Sequence, residues 1–588
     1  MKGARPLLRG LDARLLPYVT RYRRGLVWGV TCVALTNVIA LAQPQVLRFA
    51  IDDLYRGVTA EKLGRYAIIL FAIALTAAVF KYWMRQSVIA ISRHIEYDLR
   101  NDLFAHLQRL SVSYFQHART GEIMSRATND VSAVRMMLGP GIMYLVNTAV
   151  VAVVSIGFML SISPRIALYA LAPLPLVSLC AWFFGERIHR RFEEIQAQFA
   201  MLSAKVQENL AGVRVVRAFT RERGESDEFR DLNRDYLDKN LQLIRTSGLF
   251  YPALAFLSGT AALLALYLGG REVIATHITL GQFVAFTWYL GMLNWPMVAL
   301  GWVINLFQRG VASFGRLEQL LEVEPAIVSA PDAVRPASCR GEIEFRDLTF
   351  HYPGVAAPAL EHISFRVRAG QTVALVGRTG SGKSTLLALL PRVFDPPPGA
   401  VLLDGHDVRD VDVAWLRAQI ACTPQETFLF SATLAENVAY GAADASDDAI
   451  RRAASIAGLD SDVSGFPDGF ETRVGERGIT LSGGQKQRTA IARAVLRDAP
   501  LLVLDDCLSS VDTHTEDAIL HGLRGEMRGR TTLLVSHRVS TVRDADLIVV
   551  LDAGRVVEQG THAELMAAGG AYAELSRSQQ LEEELEAS

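Results

Sequence analysis

At 588 residues the chain has room for about three or four domains, yet half of it is hydrophobic, 21% is charged and its mean hydropathy is +0.21, too apolar for a purely soluble protein. Sixty Lys and Arg against 61 Asp and Glu leave a net charge of -1, so no basic excess points to nucleic acid, and no long acidic, poorly hydrophobic stretch points to disorder. The five cysteines (Cys32, Cys180, Cys339, Cys422, Cys507) are scattered and include no Cys-x-x-Cys pair; a reduced, cytoplasm-facing protein is expected.

In chain order, the first 24 residues carry Lys2, Arg5, Arg9, Arg14, Arg21, Arg23 and Arg24 against Asp12 alone, which places this N-terminal segment (1–25) in the cytoplasm by the positive-inside rule. Mostly apolar runs of about 20 residues or more, enough to cross a bilayer, follow at 26–51, 66–91, 138–162, 166–185, 249–269 and 280–307. The first run is too long for a signal peptide, so no cleavage is expected. Six spans, filling a membrane domain at 26–321, return the chain to the cytoplasm. Spans two and three, and four and five, are joined by very long connections that are nearly free of Gly and Pro: none lies between Arg65 and Thr120, and only Gly212 and Gly224 between Glu186 and Ser247. An uninterrupted helix of about 56 residues would reach roughly 84 Å against a bilayer core of about 30 Å. These helices are therefore expected to project into the cytoplasm. They should turn back near Ser113-Tyr114-Phe115-Gln116 and Gly212-Val213-Arg214-Val215, which serve either as contacts for the soluble half or as ordinary hairpin turns.

Residues 322–340 read as a linker. From 341 to 575 short Val/Leu/Ile runs alternate with charged, Ala-rich helical segments, the pattern of an α/β domain, and 576–588 form an acidic tail. The strand-like run Gln371-Thr372-Val373-Ala374-Leu375-Val376 leads into Gly377-Arg378-Thr379-Gly380-Ser381-Gly382-Lys383-Ser384 and a helix-like segment from Thr385, which is a P-loop in its strand–loop–helix context. There glycines turn backbone N–H groups toward phosphate oxygens, Lys383 reaches the β- and γ-phosphates of a nucleotide such as ATP, and the Ser384 hydroxyl ligates Mg2+. A second apolar strand, Leu501-Leu502-Val503-Leu504, ends in Asp505, the form of a Walker B carboxylate that holds the same magnesium.

Between these motifs stands Leu481-Ser482-Gly483-Gly484-Gln485, and on it the chain resembles the ATP-binding cassette (ABC) family along nearly its whole length: an exporter-type half-transporter with an α-helical membrane domain of six long helices and one α/β P-loop cassette. The resemblance implies that this signature meets the γ-phosphate of ATP held by the opposite cassette of a head-to-tail dimer, so that one chain cannot complete a site. It implies an adenine-stacking role for Tyr352. Gln425 is implied to sense Mg2+ and the attacking water, and Gly475-Glu476-Arg477-Gly478 to form an exporter-specific loop. Asp512, in Ser509-Ser510-Val511-Asp512, is implied to fall in the D-loop, and His537 to be the switch histidine toward the γ-phosphate. Thr120-Gly121-Glu122-Ile123-Met124-Ser125-Arg126 with Asn129-Asp130-Val131 is similar to the first intracellular loop of exporters.

One position departs from the family pattern. The catalytic glutamate that follows the Walker B aspartate is here Asp506, shorter by one methylene, about 1.5 Å. Misplacing a catalytic group by about 1 Å costs on the order of 100-fold, so this chain's own site is expected to bind ATP and turn it over slowly, unless the backbone shifts enough for Asp506 to serve as the base. Two identical chains would carry two impaired sites, and the expected partner is a different half-transporter with a competent glutamate; a homodimer is the lesser expectation. The implied substrate is a hydrophobic or amphiphilic compound. A lipid flippase and a regulatory ATP-binding subunit are the alternatives. Six spans exclude a soluble nucleic-acid ATPase, and a peptide-processing exporter is not expected because no protease domain precedes Leu26. Trp288, Tyr289, Trp295, Trp302 and Phe307 either line a drug-tolerant cavity or belong to interfacial belts and helix packing; Lys81 and Arg85 either face that cavity or snorkel.

Overall fold

The computed structural model describes residues 15–442, 444–475, 478, 481–508 and 513–587. It divides into two compact units, one holding the membrane-type helices and one holding Arg109–Arg119 with Glu324–Ser588.

Among the described residues, six helices are long and apolar enough to cross a membrane: Arg23–Arg56, Ala60–Leu107, Thr120–Ile162, Pro164–Ala211, Glu222–Ile274 and Leu280–Leu321. Local chemistry sets their tight connections. Gly57, in the left-handed region at φ 88°, ends the first helix, and Thr59 caps the second through the Lys62 amide. Ser163 alone joins the third to the fourth, capping Ile166 ahead of Pro164. Thr279 and Gln282 form a capping box at the start of the sixth. At 1.5 Å per residue the 53-residue fifth helix is about 80 Å long, well beyond a bilayer core of about 30 Å. Pro252 lies inside it, so the bond from residue 252 to the Gly248 carbonyl cannot form.

The connection between spans two and three is not one uninterrupted helix. The helix stops at Leu107, although no Gly or Pro is present, and Val112–His117 forms a short helix of its own. Ser111 is extended (φ -71°, ψ 156°) and its hydroxyl lies 2.8 Å from that of Ser113, so serine side chains and β-branched Val112 compete with the helix here. The segment expected to turn is thus helical, and the breaks flank it. In the second long connection Val213–Ala218 is likewise helical, and the reversal follows at Phe219–Arg221, with Thr220 at φ 51°.

Small residues let these helices approach closely, as in membrane packing. A Cβ on Gly310 would sit 2.4 Å from Met137 Cβ, and one on Gly29 2.5 Å from Val88 Cγ2. Polar anchors fix the ends: Arg316 grips Asp130 through Nε at 3.0 Å, and Asp52 accepts from Thr279 Oγ1 and the Gly281 amide at 2.8 and 2.9 Å. Tyr289 is fully buried, stacked on Phe158 at 5.1 Å and donating to the Leu41 carbonyl at 2.8 Å, which makes it a packing residue within the chain. Trp302 packs edge-on against Tyr144 and yet, like Trp288 and Trp295, is exposed on the isolated chain.

The cassette holds ten strands among its described residues: β1 (Ile343–Phe350), β2 (Leu360–Val367), β3 (Thr372–Val376), β4 (Val401–Leu403), β5 (His406–Asp407), β6 (Ile420–Thr423), β7 (Leu501–Asp505), β8 (Thr531–Val535), β9 (Leu547–Asp552) and β10 (Arg555–Gly560). A four-stranded antiparallel sheet runs β2-β1-β4-β5, and a six-stranded sheet runs β10-β9-β3-β8-β7-β6, parallel except for β10. β7 and β8 are buried at every residue, in keeping with the apolar run Leu501-Leu502-Val503-Leu504 in a strand covered on both faces. The stretch read as a linker is tied down from residue 329 onward. Val334 pairs with Val411, and Asp412 accepts from Ser329 Oγ and Arg335 Nη2, each at 3.2 Å. The acidic C-terminal stretch belongs to the helix Ala571–Ala587.

Candidate nucleotide site

Four parallel strands adjacent in the sheet, β3, β8, β7 and β6, point their carboxyl ends to one edge, the usual ligand edge of an open α/β sheet. Each is followed by residues singled out in the sequence. β3 runs into Gly377, β8 leads to His537, β7 ends in Asp505 with Asp506 next, and β6 leads to Gln425. A cavity of about 510 Å³ is lined by residues 379–380 and 382–385 together with Tyr352, Gln425, Asp505, Asp506 and His537.

Glycine is required at two P-loop positions for different reasons. Gly377 has φ 153°, and a Cβ there would lie 2.1 Å from the Leu551 carbonyl; Gly380, at φ 83°, meets nothing within 4 Å and leaves its backbone open to the cavity. Lys383 Nζ donates to the Gly377 and Arg378 carbonyls at 2.8 and 2.9 Å and lies 3.4 Å from Ser381 Oγ. Burial pushes its ammonium below the ordinary lysine value, against the pull of Asp506 and Asp505. Burial likewise pushes the Asp505 carboxyl above the usual range, opposed by the hydrogen bond from Ser384. A cation and an acid are thus both held out of water, the arrangement that a multiply charged ligand would relieve.

Ser384 Oγ donates to Asp505 Oδ1 at 3.1 Å, and Gln425 lines the same cavity. A hydroxyl, a carboxylate and an amide carbonyl are hard oxygen donors suited to Mg2+, which takes few protein ligands and completes its shell with phosphate and water. Tyr352 Oη lies 2.9 Å from Thr385 Oγ1, and its ring meets Phe350 and Phe394 edge-on at 5.2 Å each. Asp506 adopts the left-handed region at φ 47°, its amide donating to the Val535 carbonyl at 3.0 Å. Its Oδ2 stands 3.7 Å from His537 Nε2, an ion-pair distance beyond hydrogen-bond reach.

The signature residues are elsewhere. None of Leu481, Ser482, Gly483, Gly484 and Gln485 lines this cavity. Ser482 caps the helix Gly483–Leu496 in a reciprocal box with Gln485, and Asp462 holds that helix by accepting from Gln485 Nε2 at 3.0 Å and Arg488 Nη2 at 2.6 Å. Asp512, Glu476 and Arg477 lie outside the described residues. A further support was not foreseen: the turn between β9 and β10, with Ala553 and Gly554 at φ 45° and 80°, lines the cavity and donates from the Gly554 amide to the Ser381 carbonyl at 3.2 Å. Gly554 between two apolar runs signals a hairpin, but not what the hairpin touches.

Residues 26–297 match the family model described as ABC transporter transmembrane region, and residues 360–509 the one described as ABC transporter. The chain is 40% identical, over 93% of each chain, to a probable multidrug resistance ABC transporter ATP-binding/permease protein, YheI, of Bacillus subtilis. It is 34% identical to an ATP-dependent lipid A-core flippase of Syntrophus aciditrophicus, over 96% of this chain and 93% of the relative. The solved structure of a bacterial Atm1-family ABC exporter with ATP bound matches with a TM-score of 0.76 at 29% identity, covering 95% of this chain and 98% of that one. With these matches, six membrane-type helices and one P-loop cassette, the chain belongs to the ABC transporter family as an exporter-type half-transporter, an integral membrane protein whose ATPase is coupled to transport.

Proposed function

We propose that this chain is the Asp-for-Glu subunit of a heterodimeric multidrug-type exporter that moves hydrophobic or amphiphilic compounds out of the cytoplasm or inner leaflet. The basic N-terminal segment supports a cytoplasmic N-terminus and cassette in the bacterial inner membrane. The observation that carries the proposal is Asp506 at the catalytic-glutamate position beside an intact signature; the site is also divided, because P-loop residues 379–380 and 382–384, Gln425, Asp505, Asp506 and His537 share one cavity and the signature residues are not among its lining. A second cassette has to bring its own signature to this cavity, and this chain's intact signature is left to serve the partner's site.

Within that site Tyr352 holds adenine and Lys383 binds the β- and γ-phosphates, while the backbone of residues 377–382 wraps them. Ser384, Asp505 and Gln425 hold Mg2+, which supplies charge neutralisation between the phosphates when bound. His537 contacts the γ-phosphate, and Asp512 belongs to the contact between cassettes. Asp506 accepts the proton of the attacking water from a position too short for efficient transfer, so turnover rests mainly on the partner-based site. Closure of the cassettes around ATP, favoured by its higher affinity for the closed dimer, drives the cavity between the helices from inward- to outward-facing. Transport of a lipid is the second reading, favoured by the similarity to the lipid A-core flippase.

Native mass spectrometry of the detergent-purified complex, with this chain tagged in its own host, tests the proposal. A one-to-one complex with a second half-transporter is expected. A homodimer with normal turnover would refute the heterodimer and make Asp506 catalytically sufficient.

A further inference from the structure

The loop after β8 carries His537 and then opens the one-turn helix Val539–Val542. Two other elements hold it, one through side chains and one through its backbone. Glu516, 2% exposed on the helix Thr513–Met527, pairs with Arg538 and accepts from Thr541 Oγ1 at 2.6 Å. From about 40 residues further along the chain, Gln579 on the helix Ala571–Ala587 uses both halves of its amide. Its Nε2 donates to the His537 carbonyl, and its Oε1 accepts from the Val539 amide at 2.8 Å. That helix is itself anchored, because Glu558 accepts from the Ala571 and Tyr572 amides at 2.6 and 3.1 Å and Tyr572 is fully buried.

An amide that bonds a carbonyl and an N–H two residues apart acts as a short neighbouring strand does: it fixes the peptide planes on both sides of Arg538. Those planes set the direction in which the His537 side chain leaves the backbone. His537 reaches the cavity with 40% of its side chain exposed, so local packing alone does not lock the ring.

We infer that Gln579 is a positioning residue for His537, and that through it the C-terminal helix sets how well this chain's site distinguishes ATP from ADP. The inference rests on the reading of His537 as a γ-phosphate contact. It needs no hydrolysis at this site, since a group aimed at the γ-phosphate favours ATP over ADP whether or not Asp506 is an adequate base.

The test uses the purified full-length transporter, photolabelled with 8-azido-ATP and Mg2+ on ice, with ATP or ADP competing for label in the band of this chain. Gln579→Ala should lower the preference for ATP over ADP about three- to tenfold, the range of one hydrogen bond. Gln579→Glu keeps the acceptor for Val539 and loses the donor to His537, whereas Gln579→Lys does the reverse. Both should fall between wild type and Gln579→Ala, and they carry the test if the alanine variant fails to fold. His537→Ala should also lower the preference, and adding Gln579→Ala to it should change nothing further. An unchanged preference in Gln579→Ala beside a lowered one in His537→Ala would overturn the inference alone, and so would losses that multiply in the double variant. An unchanged preference in His537→Ala would overturn the reading of His537, and the inference with it.

Discussion

Lengthening Asp506 to Glu adds one methylene, about 1.5 Å of reach, to a carboxylate that lines the nucleotide cavity 3.7 Å from His537 Nε2. Recovering a displacement of that size is worth on the order of 100-fold in rate, or about 2.7 kcal/mol of barrier at 1.36 kcal/mol per tenfold. The backbone opposes the change. Asp506 sits at φ 47°, pinned by the bond from its amide to the Val535 carbonyl. Aspartate is among the residues enriched in that region, and an ordinary L residue pays roughly 1–2 kcal/mol there. Asp506→Glu should therefore raise turnover at this site by one to two orders of magnitude while lowering the cassette's unfolding temperature. Single-turnover phosphate release from the purified complex, normalised to bound nucleotide, reads the first effect, and a thermal melt reads the second. Unchanged release with nucleotide binding intact would refute reach as the defect.

Ser482 caps its helix and, in the proposed function, faces the partner's nucleotide; the two roles separate on substitution. Ser482→Ala should destabilise the cassette by about 1 kcal/mol and Ser482→Gly by only a few tenths, yet both should depress ATPase of the assembled transporter alike; activity that instead tracked the melting temperature would leave only the cap. Asp412 is held below the usual carboxylate range first by the Trp415 amide and then by Arg335 and Ser329. A depressed folded value means that the tie is complete above the unfolded value of 3.8 and is lost as pH falls through the folded one. Hydrogen exchange over residues 329–335 should accordingly quicken only at strongly acid pH in the wild type and at every pH in Asp412→Ala; equal exchange in both at neutral pH would rule out the tie.

The six helices were legible because twenty apolar residues in a row have one stable environment, and the P-loop because its glycines are spaced by phosphate geometry. Breaks in the long connections were harder to read. The second helix stops at Leu107 with no Gly or Pro near its end, and Ser111 stands extended ahead of Val112–His117 with its hydroxyl on Ser113, a local choice that a serine elsewhere leaves to the helix. Residues 329–340 read as a linker because period and burial are absent from their composition; their partners, Val411 and Asp412, lie about 80 residues away, where no local pattern reaches. The role of Tyr289 turned on a stack with Phe158 and a carbonyl on the first helix. Gln579 carries no motif at all, because an amide that braces a distant backbone looks, in sequence, like any surface glutamine.

The missing bond at Pro252 leaves the fifth helix continuous but one backbone bond short at a point within it, where bending costs least. From Pro252 to Ile274 the axis runs about 34 Å, nearly the thickness of the hydrocarbon layer, and from Glu222 to Tyr251 about 45 Å. A bend of about 10° at Pro252 carries the far tip through about 8 Å while the lipid-facing section stays upright among its neighbours. In the proposed transport cycle a bend there would move the Glu222 end without tilting the section from Pro252 to Ile274, so the surrounding lipid would not be deformed on each turnover.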